Sequence, residues 1–414
     1  MLFLENGPSI PNDLLVARDE GRVVFFCGAG VSLAKAGLPN FSGLTTTVLD
    51  QLGAAADSDA RRLFSSKKDK EPISADRIFG LLEQEFPIEL VREEVAKALR
   101  PMPNANLSAH QTLLDLARGP DGAVRLVTTN FDRLFQTIDP CIRTWTPPLL
   151  PDLRRRATFE GVVHLHGIIN RDFTGVEGEE FVVSSADFGH AYLAEGWAAN
   201  FMRQLLQRFQ IVFVGYSADD PPIQYLLEAL GRTATSTAGL YAFQDGPPEV
   251  ARARWRSKGV QAIAYDVADD HAALWSTLDA WAARARDPQA WTGSVIAKAS
   301  RGPADLAPHE RGQVTHLVST DYGAKILAQA DPPPPAEWLC VFDPAIRFGQ
   351  PGNLGRRLEV GEHVDPFDRY GIDDDPVPAR VAPDDHFTDR KVPECAWSAF
   401  TTQTGDSPAG RPAR

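Results

Sequence analysis

The sequence lacks several features that mark particular classes of protein. Its four cysteines, Cys27, Cys141, Cys340 and Cys395, lie far apart and have no zinc-module spacing. No apolar run approaches the roughly 20 residues that span a bilayer, and the N-terminus has no positive flank before a long apolar core. We therefore expect a cytoplasmic protein with no membrane segment.

Positive charge is also in short supply. The 414 residues include 42 Lys and Arg against 55 Asp and Glu, which gives a formal net charge of -13 and a pI near 5.2. This balance disfavours a general electrostatic attraction to nucleic acid, so we expect no direct nucleic-acid binding. With 43% hydrophobic residues, the chain is suited to one large globular domain and a further module.

Short apolar strands alternate with helical segments from residue 22 to about 283. Strands are predicted at 22–28, 123–130, 161–167, 179–184, 210–217, 239–243 and 260–267. Helices are predicted near 43–54, 75–86, 88–99, 107–118, 197–209, 221–230, 248–258 and 270–284. The apolar runs are continuous, as in strands covered on both faces. The pattern predicts an α/β fold: a Rossmann-like parallel sheet with helices on both faces and a helical insertion at about 43–118.

The C-terminal part has a different composition. Sixteen of the 32 prolines fall in the last 129 residues, and helical periodicity is present only around 310–329. We predict a main domain at 1–285 and an irregular, proline-rich region at 286–414. That region is a linker, a small module or a segment that orders against a partner, with a partly disordered tail.

The first predicted strand runs into GAGVS, residues 28–32. A strand that stops at two glycines leaves bare backbone amides, and the helix beginning near Val31 directs its positive end to the same place. The segment thus indicates an anion site. It lacks the third glycine of G-x-G-x-x-G and the lysine of a P-loop, so a tight turn without a ligand also explains it.

Two later strands end in similar polar motifs. VTTNFD places Asn130 and Asp132 just past the carboxyl edge of a strand, where ligands bind in open α/β sheets. An Asn-x-Asp helix cap has the same pattern. FVGYSADDPPI ends a strand in Gly215 and Ser217, which a capped strand-to-helix turn also explains.

Two histidines close another strand, in HLHG at residues 164–167. The two histidines are His164 and His166. Each is either a core residue or a metal ligand on this evidence. His166, directly before the strand-ending glycine, also suits a general base, since an ordinary histidine can accept a proton near neutral pH.

Taken in this order, the strand ends resemble the sirtuin-like NAD-binding fold of the silent-information-regulator superfamily. GAGVS matches its opening Gly-Ala-Gly-x-Ser, and AGLPNF is similar to its Gly-Ile-Pro-Asp-Phe-Arg loop. TTNFD is similar to Thr-Gln-Asn-Ile-Asp, HLHG to Glu-Leu-His-Gly and VGYS to Gly-Thr-Ser. The resemblance covers roughly residues 20–285.

The resemblance implies a catalytic pair and a set of residues that bind NAD⁺. The catalytic pair is Asn130, which would orient the ribose or a water, and His166, which would be the base. The binding set is Gly28, Ala29, Gly30, Ser32, Phe41, Asp132, Gly215 and Ser217.

Within this set the resemblance implies separate subsites. Ala29, Gly30 and Ser32 would hold the diphosphate, and Phe41 would lie over the nicotinamide ribose. Asp132 would lie near the carboxamide. Gly215 and Ser217 would line the adenosine-ribose side.

The sequence also departs from the deacetylating members of the superfamily. Those proteins carry a zinc module of four paired cysteines after the histidine, whereas residues 168–209 here contain no cysteine. Asn40 and Ser42 replace the loop's Asp and Arg. GYSADDPPI resembles the version in bacterial sirtuin-like domains of antiphage defence systems, which deplete NAD⁺. The resemblance thus implies a zinc-free NAD⁺ hydrolase without a bound metal.

Three functions follow as hypotheses. The first is an NAD⁺ hydrolase that releases nicotinamide and ADP-ribose, as a regulated effector of bacterial antiviral defence. The second is a lysine deacylase or ADP-ribosyl transferase that uses NAD⁺. The third is a non-catalytic sensor of NAD⁺ or ADP-ribose. For the first, the resemblance implies activation by homo-oligomerisation or by a protein partner.

Overall fold

The computed structural model describes residues 1–65, 74–154, 158–217, 227, 239–335 and 338. Its contacts divide the chain into two compact units. The larger unit is Val16–Leu278, and the smaller one combines Met1–Leu15 with Asp279–Arg414.

A seven-stranded parallel sheet forms the centre of the larger unit. In the described residues its strands are β1 Val23–Cys27, β2 Arg125–Thr128, β3 Thr144–Trp145, β4 Gly161–His164, β7 Gln210–Val214, β8 Leu240–Asp245 and β9 Gln261–Tyr265. A separate antiparallel hairpin consists of β5 Ile168–Ile169 and β6 Val176–Glu177. All five residues of β1 are buried, which explains its continuous apolar sequence.

The strand order is β3-β4-β2-β1-β7-β8-β9. The chain therefore builds one side of β1 with β2 to β4, then crosses to build the other side with β7 to β9. The resulting switch point lies at the carboxyl ends of β1, β2 and β7, the position where open α/β sheets bind ligands. The predicted α/β fold with a parallel sheet is confirmed.

Helices flank the sheet and fill the interval between its first two strands. In the larger part of the described chain they are α1 Asn12–Asp19, α2 Ala29–Ala36, α3 Phe41–Gln51, α4 Asp59–Ser65, α5 Ala75–Glu85, α6 Ile88–Ala98, α7 Ser108–Ala117, α8 Leu134–Ile138, α9 Ser185–Gly189, α10 Trp197–Leu206, α11 Pro248–Arg256 and α12 Ala268–Arg286. A π-helix, His190–Ala194, continues α9. Helices α3 to α7 lie where the sequence predicts a helical insertion. The helix predicted at 221–230 falls, apart from Leu227, outside the described residues.

The strand predicted at 179–184 is wrong. These residues run beside the end of β4, where the Val182 amide donates to the His166 carbonyl at 3.0 Å, but they join no ladder. Phe181 and Val183 pack into the helical core, whereas Val182 packs into the core beneath the sheet. Residues 179–184 are therefore apolar because they are buried between two cores, and not because they pair as a strand.

The smaller unit contains three further helices among its described residues: α13 Pro288–Ala299, α14 Pro308–Leu317 and α15 Asp321–Ala328. Helices α14 and α15 occupy the predicted helical stretch 310–329, whereas periodicity did not indicate α13. Their buried side chains, with that of Trp338, form one hydrophobic cluster. Pro288 and Pro308 are the first residues of their helices. Proline is tolerated there because an N–H at this position would have no partner within the helix. Residues 339–414 lie outside the described chain.

Candidate functional site

The turn after β1 packs directly against the turn after β7. The amides of Gly28 and Gly30 donate to the carbonyl oxygens of Val214 and Gly215, each at 2.9 Å. A Cβ on Gly28 would lie 2.6 Å from the Gly215 oxygen, and one on Gly30 would lie 2.9 Å from the Gly215 Cα. Glycine is required at both positions because the two backbones meet without room for a side chain.

This packing changes which amides of the predicted cradle can meet a ligand. The amides of Gly28 and Gly30 are not bare, as the sequence suggested, because they bond to the turn after β7. The Ala29 amide has no backbone partner among the described residues, and α2 begins at Ala29. An anion at this turn would therefore meet one free amide and the positive end of α2.

A cavity of about 550 Å³ lies at the carboxyl edge of the sheet. Its described lining includes nine of the ten residues singled out above: Ala29, Gly30, Ser32, Phe41, Asn130, Asp132, His166, Gly215 and Ser217. The tenth, Gly28, lies behind this wall, where its carbonyl accepts a hydrogen bond from Asn130. The volume is within the range of ligand-binding pockets, and the cavity brings Asn130 and His166 to one space.

Hydrogen bonds from the protein fix the Asn130 side chain. Its Nδ2 donates to the Gly28 carbonyl at 3.0 Å and to Ser32 Oγ at 3.1 Å. Ser32 Oγ in turn donates to Asp132 Oδ2 at 2.7 Å. Because a carbonyl oxygen can only accept, the amide nitrogen must be the atom that faces Gly28. Both Nδ2 hydrogens are then used, and Oδ1 is the polar atom of Asn130 left for a ligand or water.

His110, on α7, is a member of this network that the sequence analysis missed. Its Nε2 lies 3.1 Å from Ser32 Oγ, and its ring is fully buried. Since Ser32 gives its one proton to Asp132, His110 must donate through Nε2–H. Burial lowers the pKa of His110, and the Asp132 carboxylate partly opposes this, so a neutral imidazole is favoured. A lone histidine in an apolar helix gives no sequence signal for such a contact.

The two histidines of the strand end have different surroundings. His164 is fully buried; its Nδ1 lies 2.9 Å from the Asn130 carbonyl and its Nε2 lies 2.9 Å from Gln136 Nε2. Because the Gln136 amide can only donate, His164 carries its proton on Nδ1 and donates to Asn130. Burial lowers the pKa of His164 to about 4. His164 therefore holds the backbone that carries Asn130. Of the two roles that the sequence left open, core residue or metal ligand, this is the role of a core residue.

His166 lies in the turn that follows β4, and it lines the cavity. Its Nε2 lies 2.8 Å from the Tyr192 hydroxyl, and its ring meets Phe188 edge-on with centroids 5.1 Å apart. Burial lowers the pKa of His166 to about 3. The imidazole is therefore neutral throughout the physiological pH range, with one nitrogen lone pair available to accept a proton.

The buried His166 is expected to make folding sensitive to acid. An unfolded histidine has a pKa of about 6.5, so between about pH 6.5 and 3 the unfolded chain binds a proton that the folded chain excludes. As the pH is lowered through this interval, His166 alone should decrease the free energy of unfolding by about 1.4 kcal/mol per pH unit. Denaturant unfolding at pH 7, 6 and 5 measures the slope.

The matched control for this slope is another histidine substitution. His166→Gln should flatten the slope by the amount above, whereas His190→Gln, at a side chain that is 45% exposed, should keep the contribution of the buried His166. Equal slopes for wild type and His166→Gln would contradict a buried, neutral His166.

Aromatic residues line another part of the cavity, which the sequence analysis did not assign. Phe243 lies in β8, Tyr265 ends β9, and Trp275 lies on α12. The Tyr265 hydroxyl lies 2.9 Å from Nδ1 of His271, whose backbone is left-handed with φ of 62°. Asp245 also lines this part, and no described lining residue is Lys or Arg. Flat apolar rings of this kind suit a stacked base.

Two further properties of the described chain bear on its chemistry. Within the described ranges, no group of three or more His, Cys, Asp or Glu side chains could hold a metal ion. No helix in the same ranges combines the length and apolar character needed to cross a bilayer.

Comparisons with known proteins agree with this geometry. Residues 124–263, from just before β2 to the middle of β9, match the SIR2-like domain family. The chain is also similar to the uncharacterized protein y4cA of Sinorhizobium fredii (strain NBRC 101917 / NGR234), with 32% identity over 311 residues. That match covers 72% of this chain and 25% of y4cA, so the chain spans about a quarter of that relative. A SIR2-like domain implies a function that depends on NAD⁺.

Proposed function

We propose that this chain, which belongs to the sirtuin-like superfamily through its SIR2-like domain at residues 124–263, hydrolyses NAD⁺ to nicotinamide and ADP-ribose. The observation that carries the proposal is the presence of Asn130 and His166 on one cavity at the carboxyl edge of the sheet. Both side chains are held by hydrogen bonds on their protein side. Such preorganisation is what a reaction that depends on orientation requires.

The reaction breaks the bond between nicotinamide and C1′ of its ribose. Nicotinamide leaves as a neutral molecule, which takes the bonding electrons and relieves the charge of the pyridinium ring. The ribose carbon is left as an oxocarbenium-like centre, and a water oxygen adds to it. In the proposed site, Asn130 Oδ1 accepts a hydrogen bond from this water, and His166 accepts the proton that the water loses.

The low pKa of His166 is compatible with this role. A water that bonds to an oxocarbenium-like carbon becomes strongly acidic, so even a weakly basic imidazole can remove its proton. What the site must supply is a neutral histidine with an unoccupied lone pair. Burial supplies the neutral form, because it disfavours the imidazolium ion at any pH near 7.

The charges of the described lining support a cationic reacting group. Asp132 is 3% exposed, accepts from Ser32 Oγ and from the Leu134 amide, and lines the cavity, where no described lining residue is Lys or Arg. A buried carboxylate stabilises the pyridinium ring and the oxocarbenium-like centre that follows it. In this proposal the diphosphate is held by the Ala29 amide and the N-terminus of α2.

We also propose that the activity belongs to a regulated effector of bacterial antiviral defence. The resemblance of the zinc-free GYSADDPPI version supports this role. A controlled switch is then needed, since unregulated loss of NAD⁺ would harm the host cell. The smaller unit, with its own helical core in α13 to α15, is the candidate platform for self-assembly or for a partner.

The proposed reaction is tested by product analysis on the full chain. Purified protein at a series of concentrations is incubated with NAD⁺, and nicotinamide and ADP-ribose are separated and quantified. Equal amounts of both products are expected, at a rate that an acyl-lysine peptide does not change. The concentration series is included because assembly would raise the activity per chain.

Two results would contradict hydrolysis. Release of nicotinamide only when an acyl-lysine peptide is present would indicate a deacylase. Binding of NAD⁺ without nicotinamide release at every protein concentration would contradict hydrolysis switched on by self-assembly.

A further inference from the structure

We propose that Tyr192 is the positioning residue for His166: its hydroxyl accepts the Nε2–H of the imidazole and leaves Nδ1 as the nitrogen that faces the substrate. This inference rests on the hydrolase function proposed above, in which His166 takes a proton from water. It goes further in assigning the reacting atom and the residue that selects it.

Tyr192 is presented by an unusual piece of backbone. The Glu195 amide donates to the His190 carbonyl at 3.0 Å, a spacing of five residues that defines the π-helix His190–Ala194. Such π-helical turns inside helices occur frequently at functional sites. It places the Tyr192 hydroxyl 2.8 Å from His166 Nε2.

The surroundings of the ring leave little freedom for another arrangement. His166 and Tyr192 are 1% and 3% exposed, and Phe188 stacks on Tyr192 while meeting His166 edge-on. Gly167 follows with φ of 91°, where a Cβ would lie 2.8 Å from the Glu180 carbonyl. The backbone that carries His166 is thus fixed, and its ring cannot rotate away from Tyr192 without displacing packed aromatic side chains.

Nδ1 is therefore the nitrogen available for chemistry. It makes no hydrogen bond with any described residue, whereas Nε2 is occupied by Tyr192. A neutral imidazole carries one N–H, so donation from Nε2 to Tyr192 gives Nδ1 a lone pair. The opposite tautomer would direct an N–H at the substrate and could accept no proton there.

The proton transfer balances in this arrangement. As the water oxygen bonds to C1′, one of its O–H bonds breaks and the proton moves to the Nδ1 lone pair. The resulting imidazolium keeps its Nε2–H bond to the Tyr192 oxygen, which stabilises the new charge. Tyr192 keeps its own proton throughout, because burial raises the pKa of its phenol. The imidazolium later returns the proton to solvent.

The tautomer can be read directly by NMR on the full chain labelled with ¹⁵N-histidine. The His166 ring signals are identified by their absence from the His166→Gln variant. We expect an unprotonated Nδ1 and a protonated Nε2 in the wild type. In Tyr192→Phe, which removes one oxygen, we expect the Nδ1 signal to shift towards the protonated value, because the buried Nε2–H has lost its acceptor.

Tyr322→Phe, at an exposed tyrosine of the smaller unit, is the matched control and should leave the His166 signals unchanged. A protonated Nδ1 in the wild type would overturn the inference, as would identical His166 signals in wild type and Tyr192→Phe. This readout does not require hydrolysis, so it decides the inference even if the proposed function fails.

A kinetic measurement gives the second readout. Tyr192→Phe should lower kcat for NAD⁺ hydrolysis by about 10- to 100-fold, the effect of losing one hydrogen bond to a charged group, with little change in KM. A merely structural role would lower the melting temperature and change both constants. Unchanged kcat in a folded Tyr192→Phe variant would overturn the inference.

Discussion

Replacing Asn130 with alanine is expected to lower kcat for NAD⁺ hydrolysis by about 100- to 1,000-fold, the usual effect of removing one preorganised polar group at a reacting centre. The physical reason is that in the proposed mechanism Oδ1 is the acceptor that orients the attacking water, while Nδ2 donates to Gly28 and Ser32. Binding of NAD⁺ should persist, because the proposed diphosphate and adenosine subsites are elsewhere in the cavity. Nicotinamide release and an equilibrium NAD⁺ titration measure the two properties separately.

The control for this experiment is the same substitution at Asn200, an exposed residue of α10 that bonds to Arg203 and not to the cavity. Asn200→Ala should retain wild-type turnover. The melting temperature of Asn130→Ala must also be recorded, since the variant loses the hydrogen bonds from Nδ2 to the Gly28 carbonyl and to Ser32 Oγ and should lose some stability. Full turnover in a folded Asn130→Ala variant would remove Asn130 from the proposed mechanism.

Replacing Gly215 with alanine is expected to lower the free energy of unfolding by about 2–5 kcal/mol, the sum of a left-handed backbone cost and a steric clash. Gly215 has φ of 75°, and its Cβ would lie 2.6 Å from the Val31 amide nitrogen and 3.1 Å from the Gly28 carbonyl. The added methyl group would therefore separate the two turns that build the floor of the cavity. Chemical denaturation measures the loss.

Gly37 provides a close control because its backbone is nearly the same. Its φ is 71°, it ends α2, and no atom lies within 4 Å of a Cβ built there. Gly37→Ala should cost only the left-handed backbone term, about 1–2 kcal/mol. The difference between the two variants isolates the contact between the turns. Equal losses would show that the cost at Gly215 comes only from its left-handed backbone and not from the contact between the turns.

The fold was largely predictable because its central strands are buried on both faces. VVFFC in β1 is a continuous apolar run that a parallel sheet with helices around it explains. Once strands are parallel, their carboxyl ends share one edge, so motifs far apart in sequence are predicted to meet. This reasoning predicted the cavity that Asn130 and His166 share.

The hydrogen-bond partners were not predictable, because they depend on long-range packing. The amides of Gly28 and Gly30 were expected to face an anion, yet they bond to the turn after β7. Nothing in GAGVS indicates this neighbour, which lies about 190 residues away in the sequence. The same limit applies to His110 and Tyr192, whose roles come only from the atoms they touch.

Short or unpaired segments were the other source of error. β3 is two residues long, too short for a periodic pattern, and residues 179–184 have strand-like composition without a strand partner. In the second case Phe181 and Val182 are buried against different cores. Burial and ladder pairing favour the same apolar residues, so composition alone does not separate them.

The central claim is that NAD⁺ lies across this one cavity with its glycosidic bond between Asn130 and His166. The most direct measurement is a crystal structure of the full chain with an NAD⁺ analogue that carries a carbocyclic ring in place of the nicotinamide ribose. We expect the carbon bonded to nicotinamide to leave room for one water, about 3–3.5 Å away and in contact with Asn130 Oδ1 and His166 Nδ1. An analogue bound outside the cavity, or bound in it with the reacting carbon at the aromatic end near Tyr265, would contradict the claim.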